Sequence, residues 1–163
     1  MAVLGALACC NGDTWASELG SVLTSQDPLL ITTLRPVPRG TNGGVTLVGL
    51  VSSALGGLVV GLAHYAGIIL ASLHSDLSRA PSQLWVIVLG GLGGLLGSIL
   101  DSLLGATLQF SGRDRKTGKI VEVYREGIEP ISGTMLLDNH SVNLLSSILT
   151  AVTLPHLALS LGL

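Results

Sequence analysis

Acidic and hydroxyl side chains are concentrated in a short segment near the start of the chain. Asp13, Ser17 and Glu18 lie close together in the sequence Asn-Gly-Asp-Thr-Trp-Ala-Ser-Glu-Leu-Gly. On a helix, Asp13 and Ser17 share one face, and Glu18 is displaced by about 100° from Ser17. Oxygen-rich groups of this kind hold Mg²⁺ in proteins. The alternative is that Asp13 or Thr14 caps a helix that begins there, and spacing alone favours neither interpretation.

A second kind of acidic position lies in an apolar segment. Asp101 is the only charged side chain between Arg79 and Arg113. A carboxylate in hydrocarbon costs roughly 3 kcal/mol on the lower published scales, so such residues face a bundle interior, a wet cavity or a cation. We therefore expect Asp101 to serve a functional site as a catalytic or metal-binding group, together with Asp13.

The segment 32–44 combines basic residues with proline and glycine. Pro36 and Pro38 disfavour helix and keep the chain extended around two arginines. Guanidinium groups beside a glycine-rich helix entrance are suited to phosphate. The alternative is an ordinary basic loop at a membrane surface. The candidate phosphate-handling residues of this segment are Arg35, Arg39, Gly40, Asn42, Gly43 and Gly44.

The composition indicates a membrane protein. Of the 163 residues, 48% are hydrophobic and 11% are charged, and the mean hydropathy is +0.68. Soluble domains carry about 25% charged residues. Three segments, 45–72, 85–110 and 141–163, are long enough to cross about 30 Å of hydrocarbon. A fourth, 1–24, could cross only if its polar face is covered by protein or water. We predict an all-α transmembrane bundle of about four segments in a single domain.

Glycine rows predict how these helices pack. Segment 45–72 carries Gly49, Ser53, Gly57 and Gly61 at four-residue spacing. Segment 85–110 has the same spacing, and its row consists of Gly93, Gly97, Asp101, Gly105 and Gln109. Small residues four apart let helices approach closely. The position of Asp101 in such a row predicts that its carboxylate faces another helix and not lipid.

The basic residues predict the orientation. The loops 25–44 and 111–140 hold seven of the eight Lys and Arg residues, and Arg79 is the exception. The positive-inside rule places both loops in the cytosol. Asp13, Asp101 and the start of the last segment, with Asn139 and Asn143, then share the cytosolic half of the membrane. Within the second loop, 118–124 alternates enough to predict a short strand or hairpin. The net charge of −2 argues against a nucleic-acid partner.

The motif Gly-Asp-Thr-Trp-Ala-Ser-Glu-Leu-Gly, followed by Arg-Pro-Val-Pro-Arg-Gly-Thr-Asn-Gly-Gly-Val, resembles the transmembrane protein 19 family of integral membrane proteins. The segments 101–109 and 138–147 extend the resemblance over nearly the whole chain. The sequence departs from the family pattern at His140, where a second Asn is usual. Family members are about twice this length, which implies a C-terminal fragment or short form that lacks N-terminal helices or uses an oligomer partner.

The resemblance implies an activity as well, since the family is similar to plant phytyl-phosphate kinase. That enzyme transfers a phosphoryl group to a prenyl monophosphate, with CTP or another nucleoside triphosphate as donor. By this reasoning Asp13, Glu18 and Asp101 would hold Mg²⁺, and Arg35 and Arg39 would neutralise the phosphates. The glycines with Asn42, Asn139 and Asn143 would contact substrate or nucleotide. We expect residence in an endomembrane such as the endoplasmic reticulum.

Two other classes of function fit the sequence. In a cation- or proton-coupled transporter, Asp13 and Asp101 would bind the ion near the membrane interior. The arginine loop argues against this class, because a cation path has no need of a phosphate clamp. In a noncatalytic membrane scaffold, the polar cluster would have no role.

Overall fold

The structure, a computed structural model, describes residues 1–72 and 83–162. Four long helices make up most of this part of the chain: α1 (Ala2–Val22), α2 (Leu47–Ser72), α3 (Trp85–Leu108) and α4 (Asn139–Ser160). Short strands occupy the two loops: β1 (Leu29–Leu30), β2 (Gly44–Val45), β3 (Ser111–Asp114), β4 (Ile120–Val121) and β5 (Ile128–Ser132). The predicted helical fold class is confirmed.

Three of the four helices described, α2, α3 and α4, are long and apolar enough to cross a membrane. The remaining helix, α1, has 21 residues, but its polar second half, which contains Asp13 and Glu18, keeps it outside that group. It packs against all three of the others. The prediction of about four segments thus corresponds to three helices of membrane-spanning composition and one more polar helix beside them.

The closest helix packing depends on glycine. A Cβ at Gly57 would lie 2.9 Å from the Cα of Gly94, and a Cβ at Gly12 would lie 2.7 Å from the same atom. Helices α1, α2 and α3 therefore approach one another near Gly94, with backbone against backbone. Since even a methyl group would overlap its neighbours there, these positions exclude any larger residue.

Helix α3 carries two glycine rows with different neighbours. The row that contains Gly90 and Gly94 faces α2, where it meets Gly57. The row predicted from the sequence instead faces α1 and α4, because a Cβ at Gly97 would lie 2.5 Å from the Cβ of Cys9 and one at Gly93 would meet Leu154. The predicted row does pack helices, but its partners are α1 and α4 and not the glycine row of α2.

The two loops form small antiparallel sheets at one end of the bundle. Strand β1 pairs with β2, and β3 lies between β4 and β5. Strand β4 falls within 118–124, where a strand was predicted. Leu30 and Val37 of the first loop pack on Ala106 near the end of α3. The two loops therefore lie at the same end of the bundle, and the side of the membrane that they face stays a prediction. Arg79 lies outside the described residues.

Candidate functional site

A cavity of about 470 Å³ lies at the end of the bundle that carries the two loops. It is lined by residues of all four helices and by the first loop. Of the residues predicted to form a site, it brings together Asp13, Glu18, Arg39, Gly40, Asn42, Gly43, Gly44, Asp101, Asn139 and Asn143. The first and last of these residues, Asp13 and Asn143, are 130 positions apart, so the helix packing, and not local sequence, assembles the cavity.

Asp13 and Asp101 each accept a hydrogen bond from a serine on a different helix. Ser98 Oγ on α3 donates to Asp13 Oδ1 on α1 at 3.4 Å. Ser146 Oγ on α4 donates to Asp101 Oδ2 on α3 at 2.9 Å. Both serines are almost completely buried. The hydroxyl groups stabilise the charged carboxylates and link three helices at the cavity.

The hydrogen bond to Asp101 is supported by a further contact. The Cys9 thiol on α1 lies 3.8 Å from Ser146 Oγ and donates to it. Ser146 has a second possible acceptor, the carbonyl of Asn143, at 3.0 Å. Because the Cys9 thiol is the donor in this contact, the single hydroxyl hydrogen of Ser146 stays available for one of the two acceptors, Asp101 or the Asn143 carbonyl. The contact thus orients Ser146 between α1 and α3.

Asp13 and Asp101 both line the cavity, and both are half-buried. A cation bound between two such carboxylates offsets their mutual repulsion. Among residues 1–72 and 83–162, no group of three or more His, Cys, Asp and Glu is placed to hold a metal ion. Two carboxylates do suit Mg²⁺, which keeps several waters and takes its other ligands from substrate phosphates.

Glu18 lines the same cavity but is exposed. It does not join Asp13 and Asp101 in a three-carboxylate group. The reason is its helical position, since it lies about 100° from Ser17 around the axis of α1. Its predicted role as a metal ligand stays a prediction, and its geometry places it at the rim of the cavity.

Arg39 is held by backbone carbonyls. Its guanidinium donates to the oxygens of Ser21, Thr24 and Gln26, at 3.3, 2.6 and 3.4 Å. These oxygens belong to the last turn of α1 and the segment that follows it, where carbonyl groups lack helical partners and the helix dipole is negative. Arg39 therefore anchors the end of α1 to the first loop while it lines the cavity.

Arg35 does not accompany Arg39. Its side chain is exposed and lies outside the cavity lining. Its backbone carbonyl accepts a hydrogen bond from Leu30 N–H, as part of the turn around Leu34, whose φ is 54°. The two prolines keep the chain extended as predicted. The turn that precedes them, however, leaves the Arg35 side chain outside the cavity lining. The structure separates the two arginines that the sequence suggested would act together.

The glycine segment, residues 40–44, forms part of the cavity wall and packs closely against α3. Gly40 and Gly43 have φ of +84° and +79°, which non-glycine residues seldom adopt. A Cβ at Gly43 would also lie 2.6 Å from the carbonyl oxygen of Ser102 on α3. The N–H groups of Thr41, Asn42 and Gly44 are bonded within the protein. In the part of the chain that the structure describes, those of Gly40 and Gly43 donate to no group and so can serve a ligand.

The beginning of α4 completes the cavity. Asn139 and Asn143 lie in its first two turns, and both are exposed and line the cavity. Asp138 is the N-cap, and its Oδ1 accepts from Ser141 N–H at 2.8 Å. That backbone hydrogen bond lowers the pKa of Asp138 below its usual value. The cap starts the helix two residues earlier than the predicted boundary at residue 141.

The sequence interpretation did not identify the two serines that bond the carboxylates. A signal for Ser146 was present, because Ser146, Ser147 and Thr150 are hydroxyl residues within an apolar helix, and all three are buried. Ser98 lies one turn before Asp101 in α3, which is the spacing at which side chains share a face. The partner of each serine depends on tertiary packing and could not be read from spacing.

Comparison with known proteins finds several relatives of this chain. Protein PGR of Arabidopsis thaliana is 49% identical over 150 residues, which cover 91% of this chain and 51% of that protein. An uncharacterized membrane protein of Methanocaldococcus jannaschii is 33% identical over 109 residues, which cover 67% of this chain and 40% of that protein. An uncharacterized membrane protein of Synechocystis is 36% identical over 97 residues, or 60% of this chain and 33% of that protein. No solved structure matches the chain.

The chain thus spans about half the length, or less, of the curated relatives it matches. The family described as integral membrane protein DUF92 matches residues 1–151, which include the cavity and all the site residues discussed above. This match agrees with the three helices of membrane-spanning composition. The chain belongs to the DUF92 family of integral membrane proteins.

Proposed function

We propose that the protein is a membrane phosphotransferase that transfers a phosphoryl group from a nucleoside triphosphate, such as CTP, to a prenyl monophosphate or a related lipid phosphate. The observation that carries the proposal is the cavity itself, which unites two half-buried carboxylates, Arg39 and a glycine-rich segment. Within the described part of the chain, the N–H groups of Gly40 and Gly43 in this segment donate to no group. The resemblance of its motifs to the family that includes phytyl-phosphate kinase supports the prenyl substrate.

The chemistry demands positioning and charge stabilisation more than covalent participation by the protein. A phosphate oxygen of the lipid attacks the terminal phosphorus of the donor, and the nucleoside diphosphate leaves. Because the attacking oxygen is already anionic, no general base is required. The absence of a histidine from the cavity lining, as far as the structure describes it, is compatible with this reaction.

The residues have separate tasks in this proposal. Asp13 and Asp101 would hold Mg²⁺, which neutralises charge on the transferring group when bound. Gly40 and Gly43 offer backbone N–H groups to phosphate oxygens, and Arg39 adds positive charge at the wall. Asn42, Asn139 and Asn143 offer amide donors and acceptors for the nucleotide. The acidic balance of the cavity, with Asp13, Asp101 and Glu18 against Arg39, would disfavour a bare polyphosphate and favour its magnesium complex.

The direct test uses the protein in liposomes with a prenyl monophosphate and CTP labelled in the terminal phosphate. The expected result is Mg²⁺-dependent formation of labelled prenyl diphosphate. Asp101→Asn should lower the rate on the order of 10²-fold, because it removes a charge that acts on the transition state. Asp114→Asn, in an exposed turn of the second loop, is the matched control and should retain activity. Absence of transfer by the wild type across several prenyl chain lengths would contradict the proposal.

A second candidate is cation- or proton-coupled transport, and the paired carboxylates favour it. Asp13 and Asp101 are bonded to hydroxyls between helices, as ion and proton sites in membrane bundles are. Ion flux into protein-containing liposomes without nucleotide, lost in Asp101→Asn, would support transport. The same liposomes serve both tests, so one preparation distinguishes the two functions.

A further inference from the structure

The second loop contacts the glycine segment of the cavity wall through a small polar cluster of Glu122, Gln109 and Asn42. Glu122 follows β4 directly, and its Oε1 accepts two hydrogen bonds. One comes from Asn42 Nδ2 at 3.3 Å, and the other from Gln109 Nε2 at 3.0 Å. Eighty residues of sequence separate Glu122 from Asn42, so this contact ties the two loops together.

The orientation of both amides follows from the chemistry of Glu122. A carboxylate accepts hydrogen bonds only, so each amide must direct its NH₂ group toward it. Gln109 is 2% exposed, and a buried amide requires a partner. Glu122 is that partner, and its same oxygen atom also accepts the hydrogen bond from the Asn42 side chain.

The backbone of Asn42 is held by the same loop. Its N–H donates to Ser111 Oγ at 3.0 Å, and Ser111, the first residue of β3, is fully buried. Asn42 is therefore held at both its main chain and its side chain by residues of the second loop. The next residue, Gly43, lines the cavity and fits tightly against Ser102.

We propose that Glu122 is a positioning residue. By accepting a hydrogen bond from the Asn42 side chain, it fixes the glycine segment 40–44 in the conformation that lines the cavity. The second loop then acts as a brace for the cavity wall, although Glu122 itself does not line the cavity. The consequence for catalysis rests on the proposed function, whereas the structural role does not.

Hydrogen exchange of the protein in lipid nanodiscs tests the structural role without any ligand. Glu122→Ala should accelerate amide exchange within 40–45 by about tenfold or more, since hydrogen bonds to charged groups contribute at that level. Glu122→Gln keeps an acceptor oxygen and should restore most of the protection. Glu126→Ala, which removes an exposed glutamate from the same loop, should leave exchange in 40–45 unchanged. Exchange in α2 and α3 reports whether each variant is folded.

If Glu122→Ala does not fold, Asn42→Ala tests the same link from the other side, because it leaves the Gln109–Glu122 hydrogen bond in place. It too should accelerate exchange in 40–45. Wild-type protection of 40–45 in the folded Ala variant, or equal acceleration in Glu122→Gln and Glu122→Ala, would overturn the proposal.

A transfer assay then measures the consequence for activity. We expect Glu122→Ala to raise the KM for the nucleotide several-fold with a smaller change in kcat, and Glu122→Gln to stay near wild type. An unchanged KM in Glu122→Ala would overturn the catalytic part of the role. Absence of activity in the wild type itself would count against the proposed function, and the exchange result would still decide the role of Glu122.

Discussion

At the scale of single residues, each carboxylate of the cavity is bonded to a hydroxyl group on a helix other than its own. Asp101 on α3 is bonded to Ser146 on α4, and Asp13 on α1 is bonded to Ser98 on α3. A carboxylate that binds a metal is normally oriented by such an outer partner. The serines therefore offer a way to test the cation site without removal of either charge.

Ser146→Ala should weaken Mn²⁺ binding, used as a spectroscopic substitute for Mg²⁺, by about tenfold, because loss of an outer partner has effects of this size. The measurement is titration of the purified protein with Mn²⁺, followed by electron paramagnetic resonance. Ser147→Ala is the matched control, since Ser147 is also buried but donates to Leu144 of its own helix. Equal Mn²⁺ affinity in the two variants would contradict the role of Ser146.

At the scale of elements, the sequence predicted that glycine rows pack the helices but not which rows meet. Both α2 and α3 carry glycine on more than one face, and a four-residue spacing is compatible with several partners. The structure selects Gly57 of α2 and Gly90 and Gly94 of α3 for one contact, and Gly97 for the contact with Cys9 on α1. Which glycine rows meet depends on how α1, α2 and α3 pack together, and the sequence of one helix alone does not determine this packing.

Gly57→Ala should lower the free energy of unfolding by about 1–3 kcal/mol, as over-packing does. Its Cβ would overlap the backbone of α3 at Gly90 and Gly94. Gly67→Ala in the same helix is the control, because a Cβ there meets nothing within 4 Å, and it should be neutral or slightly stabilising. Thermal unfolding in detergent micelles compares them, and similar melting temperatures for both variants would contradict the packing account.

Helix α4 begins at a cap that titrates. The hydrogen bond from Ser141 N–H lowers the pKa of Asp138, so the cap contributes stability above the usual carboxyl pKa of about 3.9 and loses it as pH falls further. Asn caps a helix about as well but carries no charge. The melting temperature of the wild type should exceed that of Asp138→Asn at pH 7, and the difference should shrink below about pH 4. A difference that is constant with pH would contradict this.

At the scale of the whole molecule, the two basic loops contact each other at the end of the bundle that holds the cavity. Asn42 of the first loop is bonded to Ser111 and Glu122 of the second. The charge bias of the sequence predicts that this end faces the cytosol, where nucleotides are available. Orientation thus decides whether the proposed donor can reach Asp13 and Asp101.

Asn139-His140-Ser141 is a glycosylation acceptor pattern, and with a cytosolic cavity it should remain unmodified in cells that glycosylate lumenal proteins. A cysteine introduced at the exposed Lys116 should react with a membrane-impermeant maleimide in sealed vesicles that expose the cytosolic face. Glycan on Asn139, or labelling of that cysteine only after the vesicles are opened, would reverse the predicted orientation.

Composition and patterning predicted the helices, their approximate bounds and the two loops, since each is a property of a continuous segment. Most of the candidate residues line one cavity in the structure, whereas their functional roles stay predictions. The sequence interpretation was misleading for Arg35 and incomplete for Glu18, because local turns and helical rotation set where those side chains lie. It did not identify Ser98, Ser146 and Glu122, whose partners lie 85, 45 and 80 residues away in sequence.

The polar helix α1 has a consequence for biosynthesis. It lacks the composition of a membrane-spanning segment, yet it packs against α2, α3 and α4, all of which leave the ribosome after it. Its contacts with these helices therefore form only after they have been synthesised. Because residues of α4 line the cavity together with Asp13, the cavity cannot be complete before α4 has left the ribosome.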